Sequence, residues 1–155
     1  MNELVYRNLS EDAKRQICAW KYGGEYELYN LPAYEEMQVR QIGFMNPQRE
    51  KNYYGFWDES ILVGFVNILE EKEEVFIGIG VNPDLCNKHY GQRMLLITYE
   101  ISKKLYPDKP LYLEVRTWNI RAVKCYQKAG FRIDGQAYEL TTGIGTGTFY
   151  RMIRE

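Results

Sequence analysis

Residues 4–9, Leu-Val-Tyr-Arg-Asn-Leu, carry an apolar stretch with a β-branched and an aromatic residue that predicts a short opening strand. Ser10 followed by Glu11, Asp12 and Ala13 then reads as a helix start. The hydroxyl can cap free backbone amides, and early acids suit the positive end of the helix dipole. Ile17, Cys18 and Trp20 give this helix an apolar side, and Gly23-Gly24 is expected to stop it. Pro32 is expected to open a second short helix through Glu35, Glu36 and Val39. Residues 53–58 and 61–69 favour strands, with Asp58-Glu59-Ser60 as a hairpin connection and the charged run 70–74 as the next turn.

Val75-Phe76-Ile77-Gly78-Ile79-Gly80-Val81 is apolar rather than alternating, as expected of a strand near the centre of a sheet covered on both faces. Gly78 and Gly80 are poor strand formers, so a bulge or a ligand against exposed backbone is expected there. Residues 91–106 form the clearest helix. Met94, Thr98, Ile101 and Leu105 share one face, Leu95 and Leu96 widen it, and Pro107 ends it. Residues 111–115 alternate as a strand, with Arg116-Thr117-Trp118 at its end. Asn119 is a suitable cap for a helix through Ala129, with Ala122, Cys125, Tyr126 and Ala129 on one face and Gly130 as terminator. Residues 131–138 and 146–153 are expected to be the last strands, joined by the polar loop Thr141-Thr142-Gly143-Ile144-Gly145. A leading meander followed by strand-helix alternation predicts an α/β fold with a mixed sheet. At 155 residues, a single domain over 1–155 is expected.

Composition narrows the function classes. Lys and Arg total 20 against 21 Asp and Glu, a balance that argues against a nucleic-acid partner. Cys18, Cys86 and Cys125 share no ligand or redox-pair spacing, so neither a disulfide framework nor a metal site is expected, and a reduced, cytoplasmic setting fits best. The apolar runs are too short for a membrane span, and residues 1–10 lack the pattern of a signal peptide.

The local unit with most chemistry is Val81-Asn82-Pro83-Asp84-Leu85-Cys86-Asn87-Lys88-His89-Tyr90-Gly91-Gln92-Arg93, between a central strand and the long helix. Free amides at a helix start can surround a phosphate whose charge the dipole stabilises. Gly91 permits close approach, and Lys88 or Arg93 could neutralise outer charge. On these grounds a plain structural turn and an anion cradle both remain open. The aromatic stretch around Trp20, Tyr22, Tyr26, Tyr29 and Tyr34, with Glu25 and Glu27, is open in the same way. It reads as packing over a sheet, or as a water-excluding wall whose carboxylates attract a cationic amine, with Trp20, Glu25, Tyr26 and Tyr29 as substrate candidates. Some of these rings would also suit a homodimer contact.

These segments resemble the GCN5-related N-acetyltransferase superfamily. Val81 and Pro83 match its first core motif, and Gly91 keeps the last glycine of the turn, while Cys86 stands at an Arg or Gln position and His89 replaces the first important glycine. The second match is closer: Leu113-Glu114-Val115, then Asn119, Ala122, Tyr126 and Gly130-Phe131. The resemblance implies an acyl-CoA N-acyltransferase fold with a V-shaped split between central strands. It implies acetyl-CoA as cosubstrate and a primary amine as acceptor, either a small molecule or an exposed protein amine, attacking directly in a ternary complex. Ile79, Gly80, Val81 and residues 86–93 would then hold the cofactor, with Asn119 near its pantetheine arm. An amide at or beside Ile79 would face the oxyanion, and Tyr126 would protonate the departing thiolate. Glu74, Glu114 and Glu25 are the carboxylates in reach of the proposed cleft as general base. The departures at Cys86 and His89 leave a noncatalytic acyl-CoA-binding or regulatory module as the alternative.

Overall fold

The structure is a computed structural model that describes residues 3–155. Its strands follow the order β1-β2-β3-β4-β5-β8-β6, with β7 on β8; the sheet is mixed, as the alternation predicted, and has eight strands where seven were expected. The strands are β1 (Val5–Asn8), β2 (Tyr53–Asp58), β3 (Ile61–Glu70), β4 (Val75–Val81), β5 (Leu111–Arg116), β6 (Arg132–Ile133), β7 (Tyr138–Thr142) and β8 (Gly145–Arg154). The helices are α1 (Glu11–Ala19), α2 (Tyr34–Arg40), α3 (Tyr90–Leu105) and α4 (Ile120–Lys128). Among the described residues, no helix is long and apolar enough to cross a membrane.

The chain forms two compact units, one of Met1–Asn67 with Ile79–Tyr90 and one of Ile68–Gly78 with Gly91–Glu155. The first unit holds the meander and its helices. Ser10 caps α1 as expected, accepting a hydrogen bond from the Ala13 amide at 3.1 Å. The helix ends at Ala19, before the glycines expected to stop it, because Trp20 turns to extended backbone and lays its ring against Phe65. Residues Gly24–Tyr29 are a 3-10 helix, and α2 begins at Tyr34 behind Ala33, not at Pro32. The core of this unit joins Ile17, Met37, Phe44, Tyr53, Trp57 and Leu62, with Phe65 packed on it. Glu59 takes the tight β2–β3 turn with a left-handed φ of 56°. Lys14 is buried on α1 but answered by Glu11 at 2.9 Å and Glu50 at 3.0 Å, the form in which a charge tolerates burial.

In the second unit, β4 pairs with β5 in parallel at Val75↔Leu111 and Phe76↔Tyr112. The ladder ends there although both strands run on, which is the split expected between the central strands. Leu111, Leu113 and Val115 of β5 are buried, as are Met94, Leu95, Thr98, Ile101 and Ser102 of α3. The buried stripe of α3 therefore falls at Met94, Thr98 and Ile101 as expected, but Leu96 and Leu105 are exposed. Val123, not Ala122 or Cys125, is the buried anchor within α4, and Ala129 is buried just past its end. Gly130 ends α4 with a φ of 97° while the Phe131 amide reaches back to the Tyr126 carbonyl at 3.0 Å.

The chain end differs from expectation. Residues 131–138 are not one strand: Arg132–Ile133 is a short β6, and β7 begins at Tyr138. The expected loop over Thr141–Gly145 is mostly ladder, with Thr141 opposite Thr146 and Thr142 opposite Gly145. Polar threonines on a strand read as loop when weighed by polarity alone, although β-branching favours the strand.

Candidate functional site

In the first unit the open end of β4 leads into the turn before α3. Ile79, Gly80 and Val81 are half-buried. A Cβ on Gly80 would meet the Phe65 ring at 2.4 Å, so a packed aromatic side chain accounts for this glycine. The Val81 carbonyl accepts a hydrogen bond from the Tyr22 hydroxyl at 2.6 Å. Asn82 braces the strand end: its amide donates to the Val63 carbonyl at 2.8 Å, and its side-chain oxygen accepts from the Asp84 amide at 3.0 Å. Farther along, the Tyr90 hydroxyl donates to Asp58 at 2.6 Å.

Between these anchors Asn87 and His89 have φ values of 67° and 66°. This is the left-handed region, which glycine enters freely and other residues enter at a cost. The conformation explains why glycine suits the position of His89. His89 holds the left-handed angle although it is not glycine. Left-handed residues within a turn gather successive amides into a concave surface that suits an anion. Asn87, Lys88 and His89 are exposed, and the turn runs directly into the 16-residue α3. These features fit the pyrophosphate of coenzyme A, with Lys88 as nearby cation. Cys86 places its sulfur 3.7 Å from the Asn82 carbonyl, inside the turn.

Replacing His89 with Gly is expected to stabilise the fold by about 1 kcal/mol, since the left-handed penalty exceeds the added chain entropy. A rise in the urea midpoint at unchanged slope checks this.

The aromatic substrate candidates also lie in this unit. Trp20 is half-buried, its ring centre 6.3 Å from that of Phe65 at the edge of the core. Tyr26 and Tyr29 are half-buried in the 3-10 helix, with Glu25 exposed on the same turn. The structure thus brings Glu25, Tyr26 and Tyr29 together and gives Trp20 a packing role.

In the second unit, Gly91 is buried and Gln92 and Arg93 are half-buried in the first turn of α3. Asn119 is buried and caps α4, accepting from the Ala122 amide at 3.2 Å. Tyr126 is half-buried on α4. Burial pushes the Cys125 thiol up from its ordinary range, against nearby Lys128 and Arg121, so it is a poor source of thiolate.

Both carboxylate candidates of this unit are engaged. Glu74 receives two hydrogen bonds from the Arg151 guanidinium, at 2.5 and 3.2 Å. Arg151 also reaches Asp134 at 3.2 Å and lies 4.3 Å over the Tyr112 ring. With both carboxylates beside it, the guanidinium is held charged well above its ordinary range, the Glu74 bond being the main cause. Glu114 pairs with Arg151 across the β5–β8 ladder but accepts its hydrogen bond from the Tyr138 hydroxyl at 2.5 Å. Burial first, and the Glu114 carboxylate second, push the Tyr138 phenol well up, so it stays a donor. The sequence reading named neither Arg151 nor Tyr138. The alternation of 148–152 could have pointed to the first; the second lay in a run read as the end of an earlier strand.

An early-ending parallel ladder, an amide-lined turn and a capped helix bearing Tyr126 belong to one class of protein, the N-acyltransferases that work from a coenzyme A thioester. A family model described as the Acetyltransferase (GNAT) family matches residues 10–131, and the chain belongs to that family. It is an acetyl-CoA-dependent N-acetyltransferase. No curated protein matches its sequence.

Among solved structures, a GNAT-family acetyltransferase from Bacillus anthracis is similar with a TM-score of 0.79 at 17% identity, covering 98% of this chain and 94% of that one. A spermidine N-acetyltransferase SpeG chimera from Vibrio cholerae and hSSAT gives 0.78 at 19% identity, covering 99% and 95%. AAC(6')-Ib in complex with Parmomycin and AcetylCoA gives 0.74 at 17% identity, covering 99% and 93%.

Proposed function

We propose that residues 1–155 act as one catalytic domain in the cytoplasm, transferring acetyl to the primary amine of a small molecule by direct attack in a ternary complex. The observation that carries the direct route is the Cys125 thiol of α4, which stays half-buried and is pushed up from its ordinary range by burial, so it makes a weak nucleophile. Spermidine, the amine for which one similar fold is named, and Parmomycin, bound by another, support a small-molecule acceptor over a protein one.

Acetyl-CoA supplies an activated acyl thioester. The amides of residues 86–93 with Lys88 hold its phosphates, and Ile79 offers an N–H to the acetyl oxygen. Glu114, oriented by Tyr138, takes the proton lost by the attacking amine, and Tyr126 delivers a proton to the departing sulfur. Glu74 is left to fix Arg151, since both its oxygens are already engaged. Glu25, Tyr26 and Tyr29 serve the amine's approach.

Calorimetric titration with acetyl-CoA, followed by thiol release over a panel of amines, tests this reading. Saturable binding and turnover of at least one amine are expected; a folded protein that does not bind acetyl-CoA refutes it. Glu114→Gln is expected to lower kcat about a hundredfold with acetyl-CoA affinity unchanged. An unaltered rate removes Glu114 from the base role.

A further inference from the structure

Arg116 closes β5, and neither the fold nor the reaction explains its charge. Its residue is only 8% exposed. Among the described residues no carboxylate is ion-paired with it, whereas Lys14, comparably buried, has two. Its guanidinium lies 4.8 Å over the Phe149 ring, and a ring face replaces only part of the hydration that burial removes. A Cβ on Gly147 would stand 2.1 Å from one guanidinium nitrogen, so the side chain as placed lies over the bare backbone of that glycine on β8.

Arg116 also shares a sheet face with Glu114, because residues two apart on a strand point the same way. The antiparallel register agrees, setting Glu114 opposite Arg151 and Arg116 opposite Phe149. One strand end therefore presents a carboxylate and, a step later, a guanidinium on a largely buried side chain with no acidic partner among the described residues. A planar guanidinium binds a carboxylate through two parallel hydrogen bonds, and in a site drained of water that pairing is strong.

We propose that Arg116 binds a carboxylate carried by the acceptor, making the substrate an amine with an acid group a few bonds away, such as an amino acid. The inference rests on the acetyltransferase reading and on Glu114 facing the amine. Glu114 then meets the ammonium end while Arg116 fixes the acid end, which sets the amine's direction of approach. Polyamines, which carry no acid, would lose this contact.

Two readouts separate this proposal from the reaction itself. The first is binding of N-acetyl amino acids and the matching carboxamides to the CoA-saturated protein, followed by calorimetry. The second is acetyl transfer to free amino acids, their amides and polyamines. The acid form is expected to bind about tenfold or more tighter than its amide, and to be the better acceptor by a similar factor. Arg116→Gln is expected to bring both ratios close to one. Gly147→Ala, which keeps the charge but displaces the guanidinium, is expected to shrink them if Arg116→Gln does not fold. Equal binding of acid and amide by the wild-type protein overturns the proposal, as does an acid preference that survives in the folded Arg116→Gln variant. Turnover of polyamines without any acid preference overturns it while leaving the acetyltransferase reading intact. Acid-selective binding in a protein that acetylates nothing would uphold the Arg116 site and refute the direct-transfer reading.

Discussion

Changing Tyr126 to Phe is expected to slow acetyl transfer in a single turnover about a hundredfold, with acetyl-CoA affinity held within about twofold. The variant keeps the ring, which fills a half-buried place on α4, and removes only the hydroxyl. The size follows from the leaving group. A free thiol titrates at about 8.5 and a phenol at about 10, so in the proposed mechanism the sulfur can depart with much of its charge and the tyrosine completes rather than drives the step. Larger losses belong to reactions whose leaving group cannot bear charge. Cys125 offers no substitute donor, because neighbouring residues on a helix point about 100° apart. A wild-type single-turnover rate in the Phe variant would assign Tyr126 to packing, and a large fall in affinity with an unchanged rate would assign it to holding the cofactor.

The parts of the fold legible in the sequence were those where one local rule decided the outcome. Ser10 and Asn119 act as caps because a side-chain oxygen needs only amides two or three residues ahead. Val75–Val81 is a strand with the predicted bounds because its apolar run lies between a charged turn and Pro83. The misread parts depend on partners distant in sequence. Trp20 leaves α1 early to reach Phe65, and β7 is a strand because β8 returns alongside it.

The same distinction holds at the site. Tyr126, Asn119 and the residue 86–93 turn became candidates through short motifs, whereas the environment of the carboxylates had no such signal. Arg151 lies 77 residues from Glu74, and Tyr138 lies 24 from Glu114. Without those partners Glu74 and Glu114 look equivalent; with them, one is clamped by a guanidinium and the other is oriented by a phenol. The substitution of His89 for glycine is the converse case. It is a departure from the motif, yet the backbone there adopts the left-handed angle that glycine favours.

Gly80→Ala is expected to destabilise the protein by about 2 kcal/mol, the scale of an overpacked core. In an ordinary strand the same change would be mildly favourable, since alanine loses less chain entropy than glycine on folding. Here the new methyl would stand 2.4 Å from the edge of the Phe65 ring, so either the ring or the strand must move. The ring has little freedom: its centre lies 6.0 Å from that of Phe44, 6.4 Å from Tyr53 and 6.3 Å from Trp20. Movement of the strand would instead disturb Val81, whose carbonyl is held by Tyr22. Urea unfolding of Gly80→Ala, Phe65→Leu and the double variant separates these causes, because a smaller side chain at 65 is expected to recover much of the loss as a coupling energy. If the double variant is no better than the sum of the single changes, the ring is not the reason for Gly80. A strand kept bare for a ligand then becomes the better account, and loss of acetyl-CoA affinity in a Gly80→Ala protein of normal stability would be its signature.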